Sequence, residues 1–479
     1  MNPLKKTLIL GTMWSVGGQL ASLLVVLITN IWMARLLSPK EFGQVGIIMF
    51  FIVLADVFTE GGLGGALIRK INPSKQDFAT VFVFNLTVSV FCCLSLIMAS
   101  GFIADFYNDA SLKMLIIVAS LVLIINAFQL IQNIKLMCDL KFKQKSVYRL
   151  VAVIISSIVG IIMAYQGAGV WSLIVMQLLT SIVSTLLLWG FEGTFFSLRF
   201  SRQSFKELYV FGVNTTLASL LNTAFDNIYQ LILGKYFSIA QVGLFYQAKK
   251  IQDVPGGIIN MLTQGVVFSS LAKLQEQKEE FLRIYGKIVV VFAAVLALMT
   301  VLMYLYAENI IALLLGDKWL GAIFYMKLLV IASFFYFLEL VNRIIFKIFN
   351  QTKQILFLEI GKKSVQLVSI VVGVYFLNLN YLIVGFVITN IISYWINYHY
   401  SRKVLEDQMQ VVTNRKLKIV VFSLALTFIA GYIAATFGID GHWKFLLLPF
   451  LLIIYLLGLK AFGILDIVNE IKNLIKSRA

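Results

Sequence analysis

The sequence predicts an all-α, polytopic membrane protein of about fourteen transmembrane helices, and three observations carry that prediction: apolar runs from end to end, basic residues segregated between alternate loops, and an internal repeat. Apolar letters make up 60% of the 479 residues, against about half in ordinary soluble domains. Each run is roughly 20 residues or longer, enough to cross a hydrocarbon core of about 30 Å. Backbone groups in lipid must be paired inside the protein, so every run is expected to be helical.

The fourteen runs lie near 8–34, 43–67, 78–104, 112–134, 147–165, 168–190, 209–233, 243–271, 286–306, 319–341, 355–377, 380–399, 418–437 and 443–464. The opening MNPLKK and the stretch after it mimic a signal peptide, but the stretch is too long and lacks an A-x-A site, so it reads as a retained first span. The run 243–271 is the least apolar, being rich in Lys, Gln, Asp and Gly. Gly61, Gly62, Gly64 and Gly65 mark the end of the second run.

A formal charge of +17 raises the question of nucleic acid, and the placement of the charges answers it. With a cytoplasmic N-terminus, the even-numbered loops and both tails hold most of the Lys and Arg. Clusters occur at Lys135, Lys141, Lys143, Lys145 and Arg149, and at Arg402, Lys403, Arg415, Lys416 and Lys418. That is the positive-inside bias of a multi-pass protein with both termini cytoplasmic, and anionic lipid accounts for the rest. Three cysteines and two histidines show no metal-ligand spacing, so neither a zinc site nor a cofactor is expected.

Residue n laid against residue n + 197 matches at fourteen of 42 positions over 16–57 and 213–254, including LASLL at 20–24 and 217–221. Asn30-Ile31 falls on Asn227-Ile228, Gln44-Val45-Gly46 on Gln241-Val242-Gly243, and Asp56-Val57 on Asp253-Val254. The offset spans six runs, an even number, so both copies enter the membrane in the same sense. Parallel repeats of this kind place a substrate path at their seam. The chain therefore divides into an N-terminal six-helix lobe (1–200), a C-terminal six-helix lobe (201–400), and a segment 401–479 with a cytoplasmic loop, helices 13–14 and a basic tail.

Polar residues inside the runs are not scattered. The seventh places Ser219, Asn222, Asp226 and Gln230 at helical steps, and the eighth does the same with Lys249 or Lys250, Asp253, Gly257 and Asn260. At matching register the second run offers Asp56 and Glu60. Charges in spans usually face a bundle interior or a water path, which points Asp226, Lys249, Lys250 and Asp253 toward a cavity, with Lys327 and Lys362 as further cavity cations. Pairing is the alternative for Lys249 with Asp253, Glu339 with Arg343, and Glu359 with Lys363, each spaced i, i+4. Pro255, ahead of Gly256 and Gly257, should kink the eighth helix and make a hinge, although close packing explains membrane glycines equally well. No G-x-S-x-G, P-loop or H-E-x-x-H is present, and the expectation is a protein that is not an enzyme.

Several stretches resemble the Wzx-type polysaccharide flippases of the multidrug/oligosaccharidyl-lipid/polysaccharide exporter superfamily: ARLLSPKEFG at 34–43, GGLGGALIRK at 61–70, LKFKQKS at 140–146, GAGVWSLIV at 167–175, LFYQAKKIQDVP at 244–255, VFSSLAKLQ at 267–275 and LLGDKW at 314–319. The resemblance implies two six-helix lobes around a V-shaped cavity with alternating access, as in MATE transporters, plus a terminal helix pair. It implies a lipid-linked oligosaccharide on undecaprenyl diphosphate, carried across the bacterial plasma membrane for lipopolysaccharide, O-antigen or other surface polysaccharide. A polymerase and glycosyltransferases are the implied partners.

On that substrate, Lys249 and Lys250 would meet phosphate as point charges, and Asn222, Asn227, Gln230 and Asn260 would meet sugar hydroxyls. Asp56, Glu60, Asp226 and Asp253 would carry coupling H⁺ or Na⁺. The first-half spans show no clear arginine cluster, a departure from related flippases. The alternatives are a drug/cation antiporter or a peptidoglycan lipid-precursor flippase on the same scaffold, and, in a different class, a membrane glycosyltransferase or polymerase.

Overall fold

The structure, a computed structural model, describes residues 3–70, 72–193, 198–263, 267–349, 351–405, 410–436 and 445–464. Helix α1 (Pro3–Leu36) and helix α2 (Pro39–Glu60) are joined by two residues, and the second of them starts α2. Ser38 Oγ accepts from Glu41 N while the Glu41 carboxylate accepts from Ser38 N at 2.7 Å, with Pro39 preset for the first helical position. The predicted run 43–67 is two helices rather than one: α2 stops at Gly61 and Gly62, with φ of 55° and 63°, and α3 covers Leu63–Arg69. Two successive left-handed residues cannot continue an i→i−4 ladder, and only glycine adopts them without strain.

Helix α4 (Lys75–Phe106) opens on a second capping box, Ser74 with Asp77. Then come α5 (Ser111–Cys138), α6 (Phe142–Tyr165), α7 (Val170–Glu192), α8 (Arg202–Tyr236) and α9 (Ile239–Leu262). The remainder is α10 (Phe268–Ala272), α11 (Lys278–Leu305), α12 (Ala307–Leu314), α13 (Ala322–Ile348), α14 (Thr352–Tyr375), α15 (Leu379–Val404), α16 (Gln410–Thr436) and α17 (Leu447–Ala461).

Among the described residues, ten helices are long and apolar enough to cross a membrane. Helices α8, α9 and α14 are long but more polar, and the apolar α17 has 15 residues. With these four, and without the short α3, α10 and α12, the helices match the fourteen predicted runs one for one. Every regular element among the described residues is a helix, and the chain is a helical multi-pass membrane protein. A short helix follows the second span of each half, α3 after α2 and α10 after α9.

The chain forms two compact units, Met1–Tyr246 and Gln247–Ala479. In the first, α4 packs on α5, α6 packs on α1 and α7, and α2 lies against α4, α5 and α8. Gly212 brings α8 onto the α2–α3 break, since a Cβ there would sit 2.6 Å from the Gly61 carbonyl oxygen. Lys70 at the end of α3 bridges Asp77 and Glu207, both at 3.0 Å, tying α3 to α4 and α8. In the second unit α13 and α14 pack on α15, α11 packs on α13 and α16, and Tyr455 of α17 donates to the Ala294 carbonyl at 2.8 Å. Lipid supplies no hydrophobic force between helices, so such hydrogen bonds and close contacts at small residues hold the bundle.

Asp109, in the turn between α4 and α5, is the polar anchor at that end of the first unit. Burial alone would raise its pKa, but Ser111 at 2.5 Å, Gln44 at 2.8 Å and the Lys40 ammonium at 3.6 Å outweigh it and hold the carboxyl below the ordinary carboxylate range. A group depressed in the folded state adds stability above its unfolded pKa and loses it as pH falls through the folded one. Asp109→Asn should therefore lower stability at neutral pH by about 1.5–3 kcal/mol. Thermal unfolding of the two proteins across pH should show the wild-type advantage shrink as pH falls below about 4 and disappear once it passes the folded-state pKa. An advantage that is constant with pH would contradict the assignment.

Candidate substrate cavity

Inside the first unit a cavity of about 450 Å³ lies between α2, α4, α5, α6 and α7. Each of the five helices gives it one polar face at helical spacing. Asp56 and Glu60 come from α2 at i, i+4, and Asn85 and Ser89 from α4 at the same interval. Helix α5 contributes Asn126, Gln129 and Asn133, α6 contributes Lys145, Tyr148 and Arg149, and α7 contributes Thr180, Ser181 and Ser184.

The amides of α5 form a chain through the cavity. Asn126 hydrogen-bonds Asp56, Gln129 Nε2 donates to Asn126 Oδ1 at 2.7 Å, and Asn133 Nδ2 donates to the Gln129 carbonyl at 3.1 Å. Tyr148 is fixed by its hydroxyl, which donates to Glu192 Oε1 at 3.0 Å, and by stacking on Phe191. Asn85 and Ser89 are fully buried, yet neither atom of the Asn85 amide nor the Ser89 hydroxyl has a protein partner. Buried polar groups nearly always find partners, so these two are unsatisfied groups sealed into the wall of the cavity.

Of the residues singled out from sequence, Asp56 and Glu60 line this cavity. Lys327 lines another, of about 820 Å³ and mostly apolar, between α11, α13, α16 and α17, with its ammonium 5.5 Å from the Tyr304 ring centre. Lys362 is engaged in an ion-pair network: its Nζ is 3.1 Å from Glu339 Oε2, and Arg343 lies 3.9 Å from Glu339 and 2.5 Å from Glu359. The Glu339–Arg343 pairing at i, i+4 is thus present but long, and the short contact of Arg343 is with Glu359 on the next helix.

The candidates on α8 and α9 line neither cavity. Asn227 donates to the Thr223 carbonyl at 2.9 Å and accepts from Gln230 Nε2 at 3.3 Å, so part of their capacity is used within α8. Asn222, Lys249 and Lys250 are half-buried, while Asp226, Asp253 and Asn260 are exposed. Helix α9 runs through Pro255 from Ile239 to Leu262. Gly256 packs beneath Phe337, whose ring a Cβ would strike, whereas Gly257 has open space around it.

Sequence reasoning missed the cavity's cations and amides. Lys145 and Arg149 read in sequence as topological charge, yet they supply a lysine–arginine pair to the cavity. The signal that could have found them is the coincidence of helical faces: a cationic i, i+4 pair on α6 beside amides at i, i+3, i+7 on α5.

A polytopic helical protein with a charged, amide-rich cavity among its helices is built to handle a polar molecule at membrane depth, the mark of a transporter. Residues 32–324 match the family described as "Polysaccharide biosynthesis protein", and the chain belongs to it, among the Wzx-type polysaccharide flippases. Lipopolysaccharide biosynthesis protein WzxC of Escherichia coli (strain K12) is 24% identical over 337 residues, covering 69% of this chain and 68% of that one. The fold is similar to that of lipid II flippase MurJ in an inward closed conformation, with a TM-score of 0.74 at 15% identity over 95% of this chain and 98% of that one. An inward-facing MATE family multidrug transporter gives a TM-score of 0.63 at 18% identity, over 81% and 95%.

Proposed function

We propose that this protein moves oligosaccharide repeat units linked to undecaprenyl diphosphate from the cytoplasmic to the outer leaflet of the bacterial plasma membrane, by alternating access and without making or breaking a covalent bond. The observation that carries this reading is the charged, amide-lined cavity within a bundle of membrane-crossing helices in a polysaccharide biosynthesis family. A diphosphate bearing sugars cannot enter hydrocarbon, so its hydration must be replaced by fixed charge and hydrogen bonds. The amides and hydroxyls of α5 and α7 suit sugar hydroxyls, and the cations of α6 suit phosphate.

The repeat supports two six-helix lobes, 1–200 and 201–400, with 401–479 appended. The segregated Lys and Arg residues support cytoplasmic termini. Lys249 and Lys250 remain proposed contacts on the second lobe, with Asn222, Asn227, Gln230 and Asn260 beside them. Asp56, with Glu60 one turn away, is the acid we propose couples transport to H⁺ or Na⁺, and Asp226 and Asp253 are its proposed counterparts on α8 and α9.

Purified protein in proteoliposomes should make lipid-linked oligosaccharide on the far leaflet accessible to an impermeant sugar-cleaving enzyme, faster under an ion gradient. Asp56→Asn should slow the gradient-driven rate about tenfold, the effect of losing roughly 1.4 kcal/mol at the rate-limiting step. Wild-type vesicles no faster than protein-free ones would overturn the transport reading. A gradient response unchanged in Asp56→Asn would overturn the coupling role.

A further inference from the structure

Four cations occupy the start of α6: Lys141 at its N-cap, then Lys143, Lys145 and Arg149. Two of them are compensated. Lys141 Nζ is 3.0 Å from Glu192 Oε2, and Lys143 Nζ lies 4.9 Å from the centre of the Trp14 ring. Lys145 and Arg149 both line the cavity, and among the described residues neither has a carboxylate within ion-pair distance; Lys145 Nζ has Met137 Sδ at 3.0 Å.

Leaving them so is unfavourable on three counts. Like charges at i, i+4 repel. The N-terminal end of a helix is already positive, and the first turn of α6 contains no acidic residue. Lys145 is half-buried, so its ammonium also bears a desolvation cost, while Arg149 stays exposed. An anion seated in the cavity would reverse all three.

We propose that Lys145 and Arg149 form a phosphate-binding site inside the first unit. Arg149 can grip two oxygens of one phosphoryl group with its planar fork, and Lys145 meets a third as a compact charge. Gln129 and Asn133 stand in the same cavity as neutral donors for the group attached to the phosphate. Asp56 and Glu60 share the cavity but do not pair with the two cations, so the cavity has an anion-accepting part and an anion-rejecting part, and a guest is held one way round. The site itself stands on these contacts. That the phosphate belongs to a lipid-linked sugar rests on the function proposed above, and a phospholipid headgroup offers the same chemistry.

The test uses the full-length protein in phosphatidylcholine nanodiscs, with inorganic diphosphate and a short-chain prenyl diphosphate monosaccharide as probes. Lys145→Gln/Arg149→Gln should weaken both probes by about tenfold or more, while Lys143→Gln should change affinity by less than about twofold. Removing two uncompensated cations should leave the thermal midpoint unchanged or higher. If the midpoint falls instead, the charge-preserving Lys145→Arg/Arg149→Lys variant decides: affinity retained supports the site, and affinity lost overturns it. Equal affinity in wild type and the double glutamine variant also overturns it.

Phosphatidylglycerol nanodiscs identify the owner of the phosphate. Displacement of both probes by that lipid in the wild type, absent in the double variant, supports the site and assigns it to a headgroup. The sugar-linked probe binding more tightly than diphosphate and resisting displacement supports the site and assigns it to the substrate. A wild type that binds through Lys145 and Arg149 but transports nothing keeps the site and removes the transport reading. Transport by the wild type with binding indifferent to both residues does the reverse.

Discussion

Glu339→Ala should be among the most destabilising single changes in the second unit, costing about 3–5 kcal/mol, the penalty of removing one partner from a buried ion pair. Glu339 is 1% exposed and lies between two cations, with Lys362 Nζ at 3.1 Å and Arg343 at 3.9 Å. Arg343 has a second carboxylate, Glu359 at 2.5 Å, so the charge most exposed to loss is that of Lys362 on α14. Lys362 also sits 5.0 Å from the Tyr336 ring centre, and that contact alone is too weak to replace a carboxylate.

The size of the effect comes from what is left behind more than from the worth of the pair. Removing both charges should therefore recover much of the loss: Glu339→Ala/Lys362→Met should be closer to wild type than Glu339→Ala alone. Thermal unfolding of the wild type, Glu339→Ala, Lys362→Met and the double variant in one detergent measures it. A double variant that falls by the sum of the two single effects would show that Glu339 and Lys362 do not act as a pair.

The same comparison explains why this network was only half legible. Spacing at i, i+4 revealed Glu339 and Arg343 as neighbours on one helix, and they are. Spacing cannot reveal that Arg343 finds its shorter contact on α14, or that Lys362 rather than Lys363 meets Glu339, because those contacts depend on how α13 and α14 rotate about their own axes. The fourteen spans were legible because lipid admits one solution for a long apolar run. The break at Gly61–Gly62 was half legible: four glycines marked an end, but the continuing hydropathy through Leu67 joined α3 to α2.

In the candidate site, Asp56 and Glu60 were found because an acid inside an apolar run stands out. Asn85, Asn126, Gln129 and Asn133 were not, since a neutral amide barely disturbs hydropathy. Lys145 and Arg149 were seen and given another role, because charge near a helix start serves topology in every multi-pass protein. Only the cavity separates them from Lys141 and Lys143.

The repeat itself has a physical reading that leads to the last prediction. Gly46 and Gly243 are equivalent across the offset of 197, within the shared Gln-Val-Gly. In the first unit the starts of α2 and α9 meet at backbone distance. A Cβ on Gly243 would strike the Pro39 carbonyl oxygen and lie 2.9 Å from Gly43 N, and a Cβ on Gly43 would strike the Ile239 carbonyl oxygen. A Cβ on Gly46 would meet only side chains, Val242 at 3.1 Å and Tyr246 at 3.7 Å, and one on Gly17 would meet nothing within 4 Å.

Backbone cannot rotate aside as a side chain can, so the two helix starts would have to move apart. Overpacking of this kind costs typically 1–3 kcal/mol, and a clash with main chain belongs at or above the top of that range, about 3 kcal/mol or more. Alanine substitutions should therefore rank Gly243 and Gly43 as the most destabilising, Gly46 as mild and Gly17 as neutral, read as thermal midpoints of the purified proteins. Because α2 carries Asp56 and Glu60, parting the helix starts should also slow transport in the first two variants. A Gly243→Ala protein as stable as Gly17→Ala would show that this close approach does not hold the structure together.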